Sequence, residues 1–421
     1  MGIGLVTGRV ILGGMTATLS APVVDAARAL LPDAVRLRRK LHRSPEIGLH
    51  LPRTQGVVLD ALADLGLEVR TGERLSSVVA VLRGSRPGPT ILLRADMDAL
   101  PMEEDSGVEF ASRIGGAAHA CGHDTHVAML TGAAKILTDR REELAGQVIL
   151  MFQPGEEGWH GAKYMLDEGL LEVAGEPPTA AFALHIAPMF ASGTINLREG
   201  PQLASSDVLR ITVSGTGGHA AVPHIANDPI PVACEIVTAL QTVVTRRQSV
   251  FDPAVLTISQ LRSGSAYNVI PEAAYLEGTL RAMSTSGRTD LHRHIRRVAE
   301  GIARAHEMSA EVDIEIGYPT MVNDGPYAQL VHDVAAGLLG ESRVAAMPNP
   351  LMAAEDFAYV LERVPGAMAF LGACPPGTDP QRAAPNHSNR ALFHEDAMVT
   401  GIGTYAAVAL KHLAPHGSDR C

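Results

Sequence analysis

The chain has 421 residues, 46% hydrophobic and 19% charged, with a formal net charge of -11 at pH 7. That length exceeds one ordinary core and predicts two domains, and the acidic balance, without a dense basic stripe, excludes a nucleic-acid partner. Four scattered cysteines, Cys121, Cys234, Cys374 and Cys421, are too few for a disulfide framework and point to a reducing, cytoplasmic setting.

Residues 1–21 are mildly apolar, but Arg9 interrupts them and no basic start precedes an apolar core. They read as a disordered leader with neither signal peptide nor membrane span, and Met15 is an alternative start. Helical periodicity runs over 22–43 and stops before Pro45. Its basic cluster, Arg36, Arg38, Arg39 and Lys40, reads as a solvated face. A helix over 53–65 follows, then strands at 78–82 and 90–94, a helix over 124–139, a strand at 147–152, a helix near 161–170 and a strand at 180–186. The alternation predicts a mainly parallel α/β sheet. Such sheets place ligands at the carboxyl ends of their strands, where Asp96, Glu156, Glu157 and His185 fall.

The rhythm changes between 203 and 317. Strand 207–214, helix 228–247, strands 254–262 and 272–283, helix 286–306 and strand 309–317 give the order β-α-β-β-α-β. That order predicts an α+β, ferredoxin-like domain inserted into the first. Helices at 325–339 and 355–363, a strand at 367–372 and a helix over 395–413 then return to the first domain. The predicted division is 22–202 with 318–415 against 203–317.

Cys121 and His123 stand two apart in a loop of small residues. Thiolate and imidazole suit a transition metal such as zinc; the plainer alternative is a buried cysteine and a histidine at a helix start, with Asp124 as the cap. His126 reads as a supporting histidine rather than a third ligand. Glu156 and Glu157 follow the turn Gln153-Pro154-Gly155 at a strand end. Neighbouring side chains point different ways, so one carboxylate can bind metal while the other moves protons. His185 is either a ligand or a satisfied edge histidine. His387 in Pro385-Asn386-His387-Ser388-Asn389 reads alone as a turn histidine, and His219 follows the glycine-rich Gly215-Thr216-Gly217-Gly218. One thiolate, several imidazoles and two carboxylates suit a two-metal hydrolytic centre. There is no Gly-x-Ser-x-Gly elbow in a strand–helix setting, and no phosphate-binding loop with its lysine.

The segments Arg94-Ala95-Asp96-Met97-Asp98-Ala99-Leu100-Pro101, Ala120-Cys121-Gly122-His123-Asp124-Thr125-His126, Gln153-Pro154-Gly155-Glu156-Glu157-Gly158 and Asn268-Val269-Ile270-Pro271-Glu272 together resemble a known family. So do Gly215-Thr216-Gly217-Gly218-His219 and Met352-Ala353-Ala354-Glu355-Asp356-Phe357. The family is the amidohydrolase branch of the aminoacylase superfamily, which holds hippurate hydrolases, N-acyl-amino-acid amidohydrolases and auxin-conjugate hydrolases, and the likeness covers roughly 30–410. It implies a zinc-exopeptidase-like catalytic domain with two divalent ions per subunit (zinc, manganese, cobalt or nickel). Cys121, His123, Glu157, His185 and His387 are the ligands it implies, with the thiolate as bridge, and Glu156 the general base and acid.

The same resemblance makes the inserted domain a lid that forms a homodimer or homotetramer. From it His219 reaches a neighbouring site, and Asn268 faces the substrate; Arg281 is a further candidate partner for a substrate carboxylate. The expected substrate is a small N-acyl-amino acid, cleaved at its amide bond, with a dipeptidase or carboxypeptidase as the rival enzyme. A non-catalytic relative would have lost a ligand or the base, and none is missing. Where many members carry proline two residues after the last ligand, this chain reads His387-Ser388-Asn389, a change expected in loop shape and acyl preference rather than in metal binding.

Overall fold

The computed structural model describes residues 16–415, so Met15 and most of the stretch read as a leader lie outside the described residues. The first helix starts earlier than its periodicity suggests, at Thr16, and runs to His42 with Pro22 and Pro32 inside it. Each proline forfeits a backbone hydrogen bond, but burial of Val23, Ala27, Ala34 and Leu41 holds the helix in place. Among the described residues no helix is long and apolar enough to cross a membrane.

The first compact unit takes the described residues of Met1–Glu199, Asn323–Pro348 and Val360–Cys421. Its centre is an eight-stranded sheet in the order Glu68–Thr71, Val78–Arg83, Ala145–Gln153, Arg86–Asp96, Ala180–Ala187, Gly366–Gly372, Ile195–Leu197, Val344–Ala346. The continuous runs Ile91–Ala95 and Val148–Phe152 are buried throughout, the pattern of strands covered on both faces. The four strands from Ala145–Gln153 to Gly366–Gly372 are parallel to one another. Expectation and structure part at the flanks. Glu68–Thr71, Val78–Arg83 and Ala145–Gln153 pair antiparallel, and Ile195–Leu197 runs against Gly366–Gly372. Only the first of these pairings is a hairpin, the others join segments far apart in the chain, and Val344–Ala346 again runs parallel to Ile195–Leu197, so the sheet is mixed, with a parallel centre.

Helices Thr16–His42, His123–Asp139 and Ala397–His412 pack against each other in this unit. Tyr405 ties the last of them to the sheet, its hydroxyl donating to Arg94 O at 2.6 Å and accepting the Leu184 amide at 2.9 Å. The basic cluster on the first helix is not a solvated face throughout. Arg38 is buried and donates through Nε to Asp124 Oδ2 at 3.1 Å, while Arg39 pairs with Glu395. A long-range carboxylate, invisible to local periodicity, pulls it inward.

The second unit comprises Gly200–Val322 and Asn349–Tyr359. Four antiparallel strands lie in the order Ala254–Ser263, Ala273–Ala282, Asp207–Ser214, Ser309–Ile316. Leu209, Ile211 and Val213 alternate inward and pack on Val232, Ile236 and Leu240 of helix Pro229–Arg247 and on Leu291 and Ile295 of helix Thr285–Ala305. Asp228 and Ser284 cap those helices by accepting the amides of Ile230 and Gly287. Buried Asp207 accepts from Arg288, His292 and the Gly317 amide, which overcome its burial and hold its pKa at about 2. The sequence boundary at 318 put residues 349–359 in the other domain. Main-chain pairing moves them: the Ala204 amide donates to Leu351 O and Ala353 O, and the Leu351 amide to Gln202 O.

Candidate metal centre

Six chemistry-bearing side chains from separate parts of the first unit converge beyond the carboxyl ends of its parallel strands. Cys121 and His123 open helix His123–Asp139, Glu156 and Glu157 follow strand Ala145–Gln153, His185 lies within Ala180–Ala187, and His387 sits in a late loop. Cys121 Sγ is 3.4 Å from His185 Nε2, and His387 Nε2 is 3.2 Å from Glu157 Oε1. The potential ligand atoms of Cys121, His123 and His185 all lie within 4.8 Å of one another, as do those of Cys121, Glu157 and His387. These two triplets share only the thiol, and His123, Glu156 and Glu157 form a further such group.

Ring orientation favours metal. His123 Nδ1 donates to Asp98 O at 2.9 Å and His185 Nδ1 to Ile186 O at 2.9 Å, so each presents Nε2 to the cluster. His123 Nε2 is buried without a hydrogen-bond partner, a costly state that a bound cation relieves. Burial, then the charges of Glu157, Glu156 and Asp96, drives the Cys121 thiol well above its ordinary pKa. A thiolate in that nest needs cations beside it. For Glu157, burial works against ionisation, but His387 and His123 outweigh it and hold the carboxylate below its ordinary value. Sulfur, imidazole and carboxylate in one cluster suit zinc and its neighbours in the first transition row.

The backbone is fitted to this task at two points. Gly122, between Cys121 and His123, has φ 84°, and a Cβ there would lie 2.5 Å from Ile186 Cγ2. His387 itself adopts φ 67°, a left-handed conformation uncommon outside glycine. Its amide donates to Ala120 O, and the neighbouring Asn386 side chain donates to Cys121 O and Ile186 O, each at 3.1 Å. One asparagine thereby ties three ligand-bearing segments together.

Sequence reasoning marked Asp96 by its strand-end position but passed over Asp98. Asp98 accepts the Glu156 amide through Oδ1 at 2.9 Å and the Glu157 amide through Oδ2 at 3.0 Å. Asp96 pairs with Arg94 at 2.7 Å and accepts from His126 Nδ1 at 2.5 Å, while His126 Nε2 accepts the Ile186 amide. Both nitrogens of His126 are therefore used, and it supports the cluster without ligating. Asp96 was placed at a strand end from the sequence, but Asp98 was noticed only as part of a motif; its position just past the same parallel strand was the available signal.

His219, Asn268 and Arg281 lie in the second unit. His219 pairs with Val269 in a two-residue ladder, and the Ala220 amide donates to Asn268 O, so His219 and Asn268 are backbone neighbours. Arg281 is near the far end of Ala273–Ala282, beside Val255 and next to Leu280, which pairs with Asp207. Eight residues of strand separate Ala273 from Arg281, roughly 26 Å at about 3.3 Å per residue.

With this geometry in place, comparisons with known proteins converge. Residues 92–411 match the model of Peptidase family M20/M25/M40. The chain is 36% identical to "Thermostable carboxypeptidase 2" of Saccharolobus solfataricus over 384 residues, covering 90% of this chain and 94% of the relative. It is 37% identical to "IAA-amino acid hydrolase ILR1-like 4" of Arabidopsis thaliana, covering 90% and 85%. Among solved structures it resembles the YXEP protein of Bacillus subtilis, a dinuclear metal binding peptidase from the M20 family, with TM-score 0.79, 32% identity and coverage of 92% and 99%. The chain belongs to peptidase family M20/M25/M40, as a metal-dependent amidohydrolase acting on C–N bonds.

Proposed function

We propose that the chain hydrolyses the amide bond of N-acyl-amino acids, releasing a carboxylate and a free amino acid. The observation that carries this reading is the pair of ligand triplets sharing Cys121, with Glu156 alongside. Two divalent ions held by Cys121, His123, Glu157, His185 and His387 would supply Lewis-acid activation of the amide carbonyl and of water. Glu156, buried beside the cluster, accepts the proton of the attacking water and returns it to the departing amine nitrogen. The Asp98 grip on its amide keeps the carboxylate oriented for both transfers.

The second unit, the proposed ferredoxin-like lid, would bind the remainder of the substrate and join two chains into a dimer. His219 would act as oxyanion donor in the neighbouring chain's site, a role worth on the order of 3 kcal/mol per well-placed donor. Asn268 and Arg281 would be the candidate partners for the substrate carboxylate. The free cysteines among the described residues, Cys121, Cys234 and Cys374, fit a cytoplasmic setting.

One relative is named for hydrolysis of an amino-acid conjugate and another for carboxypeptidase action, so peptide cleavage at the same centre is the second reading. A metal-reconstituted screen of N-acetyl-, N-benzoyl- and free dipeptide substrates separates the two. Faster turnover of N-acyl-amino acids than of dipeptides is expected; the reverse order replaces the first reading with the second.

A further inference from the structure

The loop that carries the paired glutamates also carries the only tryptophan of the chain, Trp159. The Gly158 amide donates to Glu156 O and the Gly161 amide to Gly155 O, so Glu156, Glu157 and Trp159 share one closed turn. The indole lies against Gly48. A Cβ built on Gly48 would lie 3.2, 3.4 and 3.5 Å from Cε2, Cδ2 and Nε1 of Trp159. Near-equal distances to three ring atoms mean that Gly48 sits over the ring face. Gly48 has φ 82°, so both its backbone conformation and the space above it favour a residue without a side chain. The indole is nevertheless 50% exposed, an unusual state for the most costly side chain to leave in water.

Its company is informative. Among the described residues of the first unit, the large apolar side chains left exposed are Val69, Trp159, Tyr164, Met189 and Leu392. Three of the five follow a candidate ligand closely: Trp159 lies two residues after Glu157, Met189 four after His185 and Leu392 five after His387. Apolar side chains are thus concentrated on the same loops that deliver the ligands, whereas the chemistry of the centre requires only polar ones.

We propose that Trp159 is a specificity-determining residue, an aromatic platform that receives a planar, bulky acyl group such as an aroyl or arylalkanoyl moiety. This rests on the N-acyl-amino-acid reading and deepens it. A flat aromatic group gains stacking and burial against the exposed indole; an acetyl group is too small to cover it.

The test compares the full-length, metal-reconstituted protein with Trp159→Ala and Trp159→Phe on N-benzoylglycine and N-acetylglycine. Trp159→Ala should lower kcat/KM for N-benzoylglycine by a further tenfold to hundredfold, on the order of a filled apolar pocket's discrimination, relative to its effect on N-acetylglycine. Trp159→Phe should restore most of that ratio. An unchanged benzoyl-to-acetyl ratio in Trp159→Ala overturns the proposal. A second readout does not depend on turnover: in metal-loaded Glu156→Gln, titration with N-benzoylglycine should shift the emission of this sole tryptophan saturably, and N-acetylglycine should not. No spectral response to millimolar N-benzoylglycine overturns the platform. Should the wild-type protein cleave no N-acyl-amino acid, the parent reading fails on its own, and the emission titration still decides the role of Trp159.

Discussion

Asp98 holds Glu156 by its main chain: the Glu156 amide donates to Asp98 Oδ1 at 2.9 Å, and the second oxygen takes the next amide. The Asp98 carbonyl, in turn, orients the His123 ring. One residue thus positions the proposed base and two proposed ligands without touching a metal. Asp98→Ala should cut metal affinity or kcat by about 10- to 100-fold, the usual cost of losing an outer partner. Metal titration followed by kinetics at saturating metal separates those two losses; wild-type values for both would remove Asp98 from the positioning role.

Glu156→Gln removes the proton acceptor while leaving shape and the ligand set in place. We expect near-normal metal content with kcat reduced by roughly 10²–10⁴-fold. Metal analysis beside steady-state kinetics checks this, and a variant with near-normal turnover would transfer the base role elsewhere.

Metal and sulfur should report on each other. Dialysis against a chelator should lower Tm, because ligand-free Cys121, His123 and Glu157 keep their burial but lose the cation that offsets it. Cobalt(II) reconstitution should produce a near-ultraviolet thiolate-to-metal band that is missing in Cys121→Ser. The same band in both proteins would show that the thiol is not a ligand.

A pH effect on stability arises behind the metal loop. His42 Nδ1 contacts Asp124 Oδ2 at 2.8 Å and Nε2 contacts Glu104 Oε1 at 3.1 Å. Burial disfavours the imidazolium, but Asp124 and then Glu104 overcome this and raise its pKa to about 9. Since the folded value lies above the unfolded one of about 6.5, the contribution is fully present below pH ~6.5 and lost as pH rises through 9. It amounts to about 3 kcal/mol at most. The Tm gap between wild type and His42→Gln should therefore be wide at pH 6 and narrow at pH 10; a constant gap would mean that the imidazole keeps one charge state throughout.

How much of this was legible follows from how far apart the interacting residues are. Strand Gly366–Gly372 declares itself as an apolar run, as does Ala180–Ala187 up to His185, and helix Gly325–Leu339 by its period. The strands Ile195–Leu197 and Val344–Ala346 are three residues each, too short for any period to register. Side-chain chemistry drew notice to Cys121, His123 and the glutamates, because a ligand's residue type advertises its use. Asp98 and Asn386 act through main-chain groups 58 and 265 residues distant, and nothing in their own identity signals that. Arg38 was misjudged for the same reason: its partner Asp124 is 86 residues away.

The left-handed backbone of His387 has a corollary for stability. A side chain forced into that region pays on the order of 1–2 kcal/mol, a load that glycine would shed and asparagine would lighten. His387→Gly should therefore give a sturdier metal-free fold, read as a higher Tm after chelation, together with a crippled catalyst; a lower Tm would show that the imidazole itself braces the loop. On stability alone a glycine would suit this position better, so the histidine is explained by what its imidazole does beside Glu157 and Cys121.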